Sequence, residues 1–159
     1  MALSKNIVGA HYRYPDYYVV EREKLREYAT AVKNNDPSFF SEEAAAELGY
    51  GALVAPLTFI SVLGYRAQRA FFANANIGIS DKQIVQVDQV LKFVKPIVAG
   101  DRLYCDVYGH EYRQAHGTDV IVTKNMITNQ NGELVQETYT TLAGRSEEDG
   151  ESGFNDGTA

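Results

Sequence analysis

Side chains able to move protons, attack carbon or hold a metal are few in this chain, and their spacing suits none of those tasks. His11, His110 and His116 are scattered, and none stands at metal-ligand spacing from the lone Cys105, so no metal site is expected. Cys105 has no second cysteine with which to form a disulfide. Ser61 lies in an apolar stretch with no histidine at a useful local spacing, where a serine more often hydrogen-bonds its own backbone than acts as a nucleophile. Asp36 and Asp101 sit among turn formers and read as turn residues. No glycine-rich phosphate-binding motif is present, so no nucleotide cofactor is expected. Chemistry in this protein, if any, has to come from residues brought together by the fold or from another chain.

The elements that would position such residues fit one domain. A length of 159 residues is enough to bury a self-sufficient core, and 45% apolar with 23% charged residues is ordinary for a soluble protein. A net charge of −6 argues against nucleic acid, whose phosphates need a clustered positive face. Glu147, Glu148, Asp149, Glu151 and Asp156 crowd the C-terminal end, so residues 146–159 read as an acidic disordered tail after a domain at 1–145. The first residues lack the apolar run of a signal peptide, and the apolar segment 52–65 is interrupted by Pro56 and Gly64 and too short to span a bilayer. The expected setting is cytoplasmic, without membrane insertion.

Periodicity orders the domain. Residues 20–32 place Val20, Leu25, Tyr28, Ala29 and Val32 near one helical face. Asn35, Asp36 and Pro37 end that helix, and Ser41 caps a second, short one. Pro56, favoured at a first helical position, opens a helix expected over 56–73 whose first half is apolar nearly all round. Gly64 within it implies a close contact. From Gln83 the period becomes two. Val85, Val87, Gln89, Leu91 and Phe93 alternate with polar residues as a half-buried strand, and Leu103, Cys105 and Val107 do so in the next. A third strand spans 118–129, Asn131-Gly132 marks a two-residue hairpin, and a fourth spans 133–144. The class is α+β: a long central helix wrapped by an antiparallel sheet.

That architecture is the hot-dog fold, and the segment 91–104, LKFVKPIVAGDRLY, resembles the Lys-Pro then Ala-Gly-Asp stretch of the MaoC-like hydratases and dehydratases. The resemblance spans about residues 5 to 144. It is strongest to the A-type, non-catalytic subunit of the mycobacterial (3R)-hydroxyacyl-ACP dehydratase of type II fatty-acid (mycolic acid) elongation, with the C-type subunit as the main competitor. Members of the family carry an Asp, one residue, Asn-Pro, one residue and a His, which work as general acid and base on water. Anchored on Pro37, the matching positions here hold Asn34 and Phe39. An amide does not exchange protons near neutral pH, and a phenyl ring has none to exchange. The family also uses a backbone N–H at the start of the central helix as an oxyanion donor, and the matching position is Pro56, which has no N–H. In acyl transfer such a donor is worth about 2.7–4 kcal/mol. The resemblance therefore implies that this chain alone does not dehydrate anything.

By the same resemblance the chain would pair with a catalytic, B-type hot-dog subunit and hold part of a long 3-hydroxyacyl chain delivered on acyl carrier protein. Ser61, Val62 and Tyr65 on the central helix, with Gln86, Val87 and Gln89 on the facing strand, are the expected acyl-binding residues. Lys92, Lys95 and Arg102 are the candidate contacts for the acidic carrier. Two other readings stand beside this one. A hot-dog acyl-thioesterase would place an acid on or near the central helix, and residues 56–73 contain none. A stand-alone acyl-binding or regulatory module would share the same lining but have no enzyme partner.

Overall fold

The computed structural model describes residues 7–79, 84–145 and 154–155. Two short strands, β1 (His11–Arg13) and β2 (Tyr18–Val19), lead into α1 (Arg22–Ala31), which buries Leu25 and Ala29 and turns its charges outward. The end of α1 closes with Lys33 at φ 57°, where Lys33 N–H donates to Thr30 O and Asn34 N–H to Ala29 O. These two bonds satisfy carbonyls that the helix end would otherwise leave open. A 3₁₀ turn (Pro37–Phe39) and α2 (Glu42–Glu47) follow, and Ser41 Oγ accepts from Ala44 N–H at 3.3 Å as the expected cap.

The central helix, α3 (Ser61–Asn74), starts five residues later than Pro56. Residues 57–60 turn more tightly: Phe59 N–H donates to Pro56 O, Ser61 to Thr58 and Val62 to Phe59, and the α-helical spacing begins at Gly64 N–H to Ile60 O. Pro56 therefore introduces a tight turn and not the helix itself. The nearly all-round apolar first half is buried at Phe59, Ile60 and Leu63 but not at Leu57, which is 65% exposed, and Tyr65 beyond it is 57% exposed. What α3 does bury is a stripe of Leu63, Ala67, Phe71 and Phe72. Phe59, just before it, is fixed edge-on by Tyr18 and Tyr28, and the Tyr28 hydroxyl donates to Thr58 O at 2.9 Å.

Four long strands wrap this helix: β4 (Ile84–Phe93), β5 (Arg102–Ala115), β6 (Thr118–Thr128) and β7 (Leu134–Arg145). With β1 they run in the order β1-β5-β6-β7-β4, all antiparallel, and β2 joins the end of β5. Alternation holds as expected in β5, where Leu103, Cys105 and Val107 are fully buried, and in β6, where Ile121 and Ile127 are. The hairpin between β6 and β7 closes at Asn129 N–H to Glu133 O, so its loop has three residues with Gly132 at φ 73°, not two. Gly109 is required where the chain before β1 crosses the sheet, because a Cβ there would stand 1.8 Å from Ile7 O.

The strand expected to be half-buried is the exception. β4 lies at the edge of the sheet, a bulge between Gln86 and Asp88 interrupts its register, and Val85, Val87, Val90 and Phe93 are all about half exposed. α3 packs chiefly on β1, β5 and β6, and of β4 only Ile84 and Leu91 are partly buried against the core. A further pair, β3 (Gly78–Ile79) with β8 (Phe154–Asn155), joins the end of α3 to the C-terminal segment. The remainder of the acidic tail, 146–153 and 156–159, lies outside the described residues.

Candidate functional site

The loop 34–39 is closed on itself. Asn34 is exposed, and its Oδ1 accepts from Asp36 N–H at 3.3 Å. Asp36 accepts from both Ser38 N–H (3.0 Å) and Ser38 Oγ (2.6 Å), and these bonds hold its carboxyl below the usual range. Arg26 Nε donates to Phe40 O at 3.1 Å and ties the loop to α1. Phe39 is buried, which fits a packing role. Asp36 is thus a turn residue, spent on its own loop. Asp101 is another: it is buried, accepts from Val98 N–H at 3.0 Å and Gln130 Nε2 at 3.1 Å, and follows Gly100 at φ 95°.

The loop touches the segment that leads to the helix, since Val54 N–H donates to Ser38 O at 3.2 Å. Two residues on, Pro56 is buried and lines a cavity of about 220 Å³ with Val54, Ala55, Leu57, Phe93 and Ile97. Gln136 contributes to the same wall. It is 2% exposed and its Nε2 donates no hydrogen bond to the protein. Apart from that amide and Lys95, whose ammonium is paired with Glu133, the wall is mostly hydrocarbon.

A second cavity, of about 290 Å³, opens between α3 and the sheet. It gathers four of the six expected acyl-binding residues: Ser61 and Tyr65 from the helix, Gln86 and Gln89 from β4. Val62 packs against the core and Val87 sits at the bulge on the exposed edge, and neither lines this space. Sequence reasoning missed the polar residues Gln68, Asn125, Thr138 and Thr140, which with Ile60 and Gly64 complete the wall. Asn125 and Thr138 face inward at alternate strand positions, so period-two patterning would have exposed them had polar residues been followed as closely as apolar ones.

The other candidates are engaged elsewhere. Cys105 is buried beneath α3, and that burial pushes its thiol up to about 12, the wrong direction for a nucleophile. His11 Nε2 pairs with Asp106 at 2.7 Å. Lys92 stands 4.9 Å over the Tyr139 ring, Lys95 pairs with Glu133, and Arg102 lies over Tyr17, so each of the three cations has a partner within the chain. No cluster of His, Cys, Asp or Glu able to hold a metal occurs among the described residues.

Fold and site together define a class: an antiparallel sheet curled around one long helix, the hot-dog fold, with a cavity between helix and sheet. A family model described as "FAS1-like, dehydratase domain region" matches residues 6–138. The chain therefore belongs to this dehydratase family, in its MaoC-like hot-dog form. A UPF0336 protein of Mycobacterium tuberculosis is 70% identical over 159 residues, the whole of both chains. Among solved structures, a chain of the C-terminally truncated HadBC (3R-hydroxyacyl-ACP dehydratase) complex of Mycobacterium tuberculosis is 51% identical with a TM-score of 0.81, covering 89% of this chain and 100% of that one. A MaoC-like dehydratase is 39% identical with a TM-score of 0.83 over 91% of this chain but only 44% of its own.

Proposed function

We propose that this chain is the non-catalytic, acyl-binding subunit of a heterodimeric (3R)-hydroxyacyl-ACP dehydratase in type II fatty-acid elongation, of the kind that builds mycolic acids. One observation carries the reading: where the family places its acid and base, this chain has an exposed amide, Asn34, and a buried phenyl ring, Phe39. Asp36, the carboxylate within that loop, is already committed to Ser38. Catalysis would come from a partner hot-dog subunit carrying the Asp and His.

Three features support a partner. The related mycobacterial structure is a complex of two named subunits. The MaoC-like relative has room in one chain for a second unit of this size. The β4 edge offers unpaired backbone groups and exposed valines, a combination that proteins ordinarily cover. The A-type role is taken from the sequence resemblance; the chain of the solved complex, at 51% identity, is a more distant relative than the full-length one at 70%. Among the described residues no helix is long and apolar enough to cross a membrane, which suits a cytoplasmic enzyme working on carrier-bound substrate. α3 carries no acid, which disfavours a thioesterase.

Co-purification tests the reading. Tagged chain expressed in a mycobacterial host is expected to recover one hot-dog partner in equal amount, with an intact Asp and His loop, and the pair to dehydrate (3R)-hydroxyacyl thioesters. Recovery of a homodimer alone would favour the stand-alone acyl-binding module.

A further inference from the structure

The wall that an acyl chain would follow changes character along β7. Gln136, Thr138 and Thr140 occupy successive inward positions, opposite Phe93, Leu91 and Gln89 of β4. At the Gln136 end the lining is mostly hydrocarbon, contributed by Ala55, Pro56, Leu57 and Phe93. One step further it is Ser61, Gln68, Gln89, Asn125 and Thr138. Asn125 and Thr138 are cross-strand partners, 4% and 5% exposed. Asn125 Oδ1 and Thr138 Oγ1 have no hydrogen-bond partner in the protein, while nearby Gln68 is bonded to Thr123 at 2.8 Å. Gly64 lets α3 pass close above: a Cβ there would stand 3.4 Å from Asn125 Nδ2.

We propose that Asn125 and Thr138 form a polar stop that ends the run of a saturated acyl chain between α3 and the sheet. The inference rests on the acyl-binding reading and adds to it a residue-level limit on chain length. A polar cavity of this size with several hydrogen-bonding walls holds water. A hydrocarbon tail that displaced the water would leave two buried groups unpaired, and each such loss weakens binding by about tenfold or more. A hydroxyl at the same depth escapes the penalty, because it donates to Asn125 Oδ1 and accepts from Thr138 Oγ1. The cavity thus rejects methylenes and accepts an alcohol.

The test uses the assembled complex and a series of saturated (3R)-hydroxyacyl thioesters of increasing length, read as kcat/KM. Past a limiting length kcat/KM is expected to fall. Asn125→Leu and Thr138→Val should each raise the ratio of long-chain to short-chain kcat/KM about tenfold. For the native complex, a chain just past the limit that ends in a hydroxyl should be turned over about tenfold better than its plain counterpart, and both variants should erase that advantage. Thr138→Val preserves shape and keeps the test decisive if Asn125→Leu does not assemble. An unchanged length profile in Thr138→Val, with no preference for the hydroxylated chain, would overturn the stop and leave the dehydratase reading intact. Absence of turnover at every length would sink both.

Discussion

Two polar regions lie within reach of the start of the central helix, and they treat their polar atoms in opposite ways. In the loop 34–39 the Asp36 carboxylate accepts from the Ser38 hydroxyl and N–H, the Asn34 amide oxygen accepts from the Asp36 N–H, and Arg26 anchors the far end. In the groove beside β7, three buried polar atoms, on Asn125, Gln136 and Thr138, bond to nothing in the protein. The loop's carboxylate is spent on its own turn. Unpaired buried groups are costly to a fold and are retained where something else completes them. On the proposed reading, the contrast separates a loop without proton chemistry from a space that has kept its room.

Phe39 gives the largest test of that contrast. If the loop is now only packing, Phe39→Ala should destabilise the chain by about 3 kcal/mol, measured by denaturant unfolding. The assembled complex, compared at equal folded concentration, should keep its kcat/KM. A preserved stability with altered chain-length preference would instead make Phe39 a gate. Ser61 probes the groove. Ser61→Trp should lower the ratio of long-chain to short-chain kcat/KM about tenfold, since the tail supplies binding energy remote from the reacting carbons. Equal losses for short and long substrates would return Ser61 to the core.

The smallest effect concerns the apolar side of the sheet. Cys105 is raised from 9.0 to about 12 by burial first and by the neighbouring Asp106 second. Between those values the unfolded thiol loses its proton while the folded one keeps it, so the stability this group contributes is present below pH 9 and drains away as pH rises. Melting temperature should therefore decline above about pH 9, and less steeply in Cys105→Ala. Part of the decline will persist, because Tyr112 is also raised to about 12 by burial and its bond to Asp119. Identical slopes would show that Cys105 is reached by solvent and that the sheet under α3 is looser than described.

Much of this was legible in the chain. Alternation in β5 and β6 works because α3 covers one face of those strands, so Leu103, Cys105 and Val107 report burial directly. The same rule misread β4, since periodicity records that a face is to be covered but not by which chain. Val85 and Phe93 carry the pattern of burial and stand exposed here. The helix start was misplaced because proline suits a tight turn as well as a first helical turn, and only the i to i+3 bonds over 57–60 separate the two. The groove was half legible. Ser61, Tyr65, Gln86 and Gln89 were expected in it, whereas Asn125, Thr138 and Thr140 stand at inward strand positions that a pattern of apolar residues alone passes over. Their pairing state is a property of three dimensions.

The central claim is that the proton chemistry belongs to the partner. It is tested most directly by crotonyl-thioester hydration in a purified complex whose partner has lost its own Asp and His, with this chain left native. The account predicts no hydration above background from that complex, none from this chain alone, and none when Asn34→Asp and Phe39→His are introduced while Pro56 remains. Turnover by the native chain in either setting would contradict it and place an acid and a base within this fold.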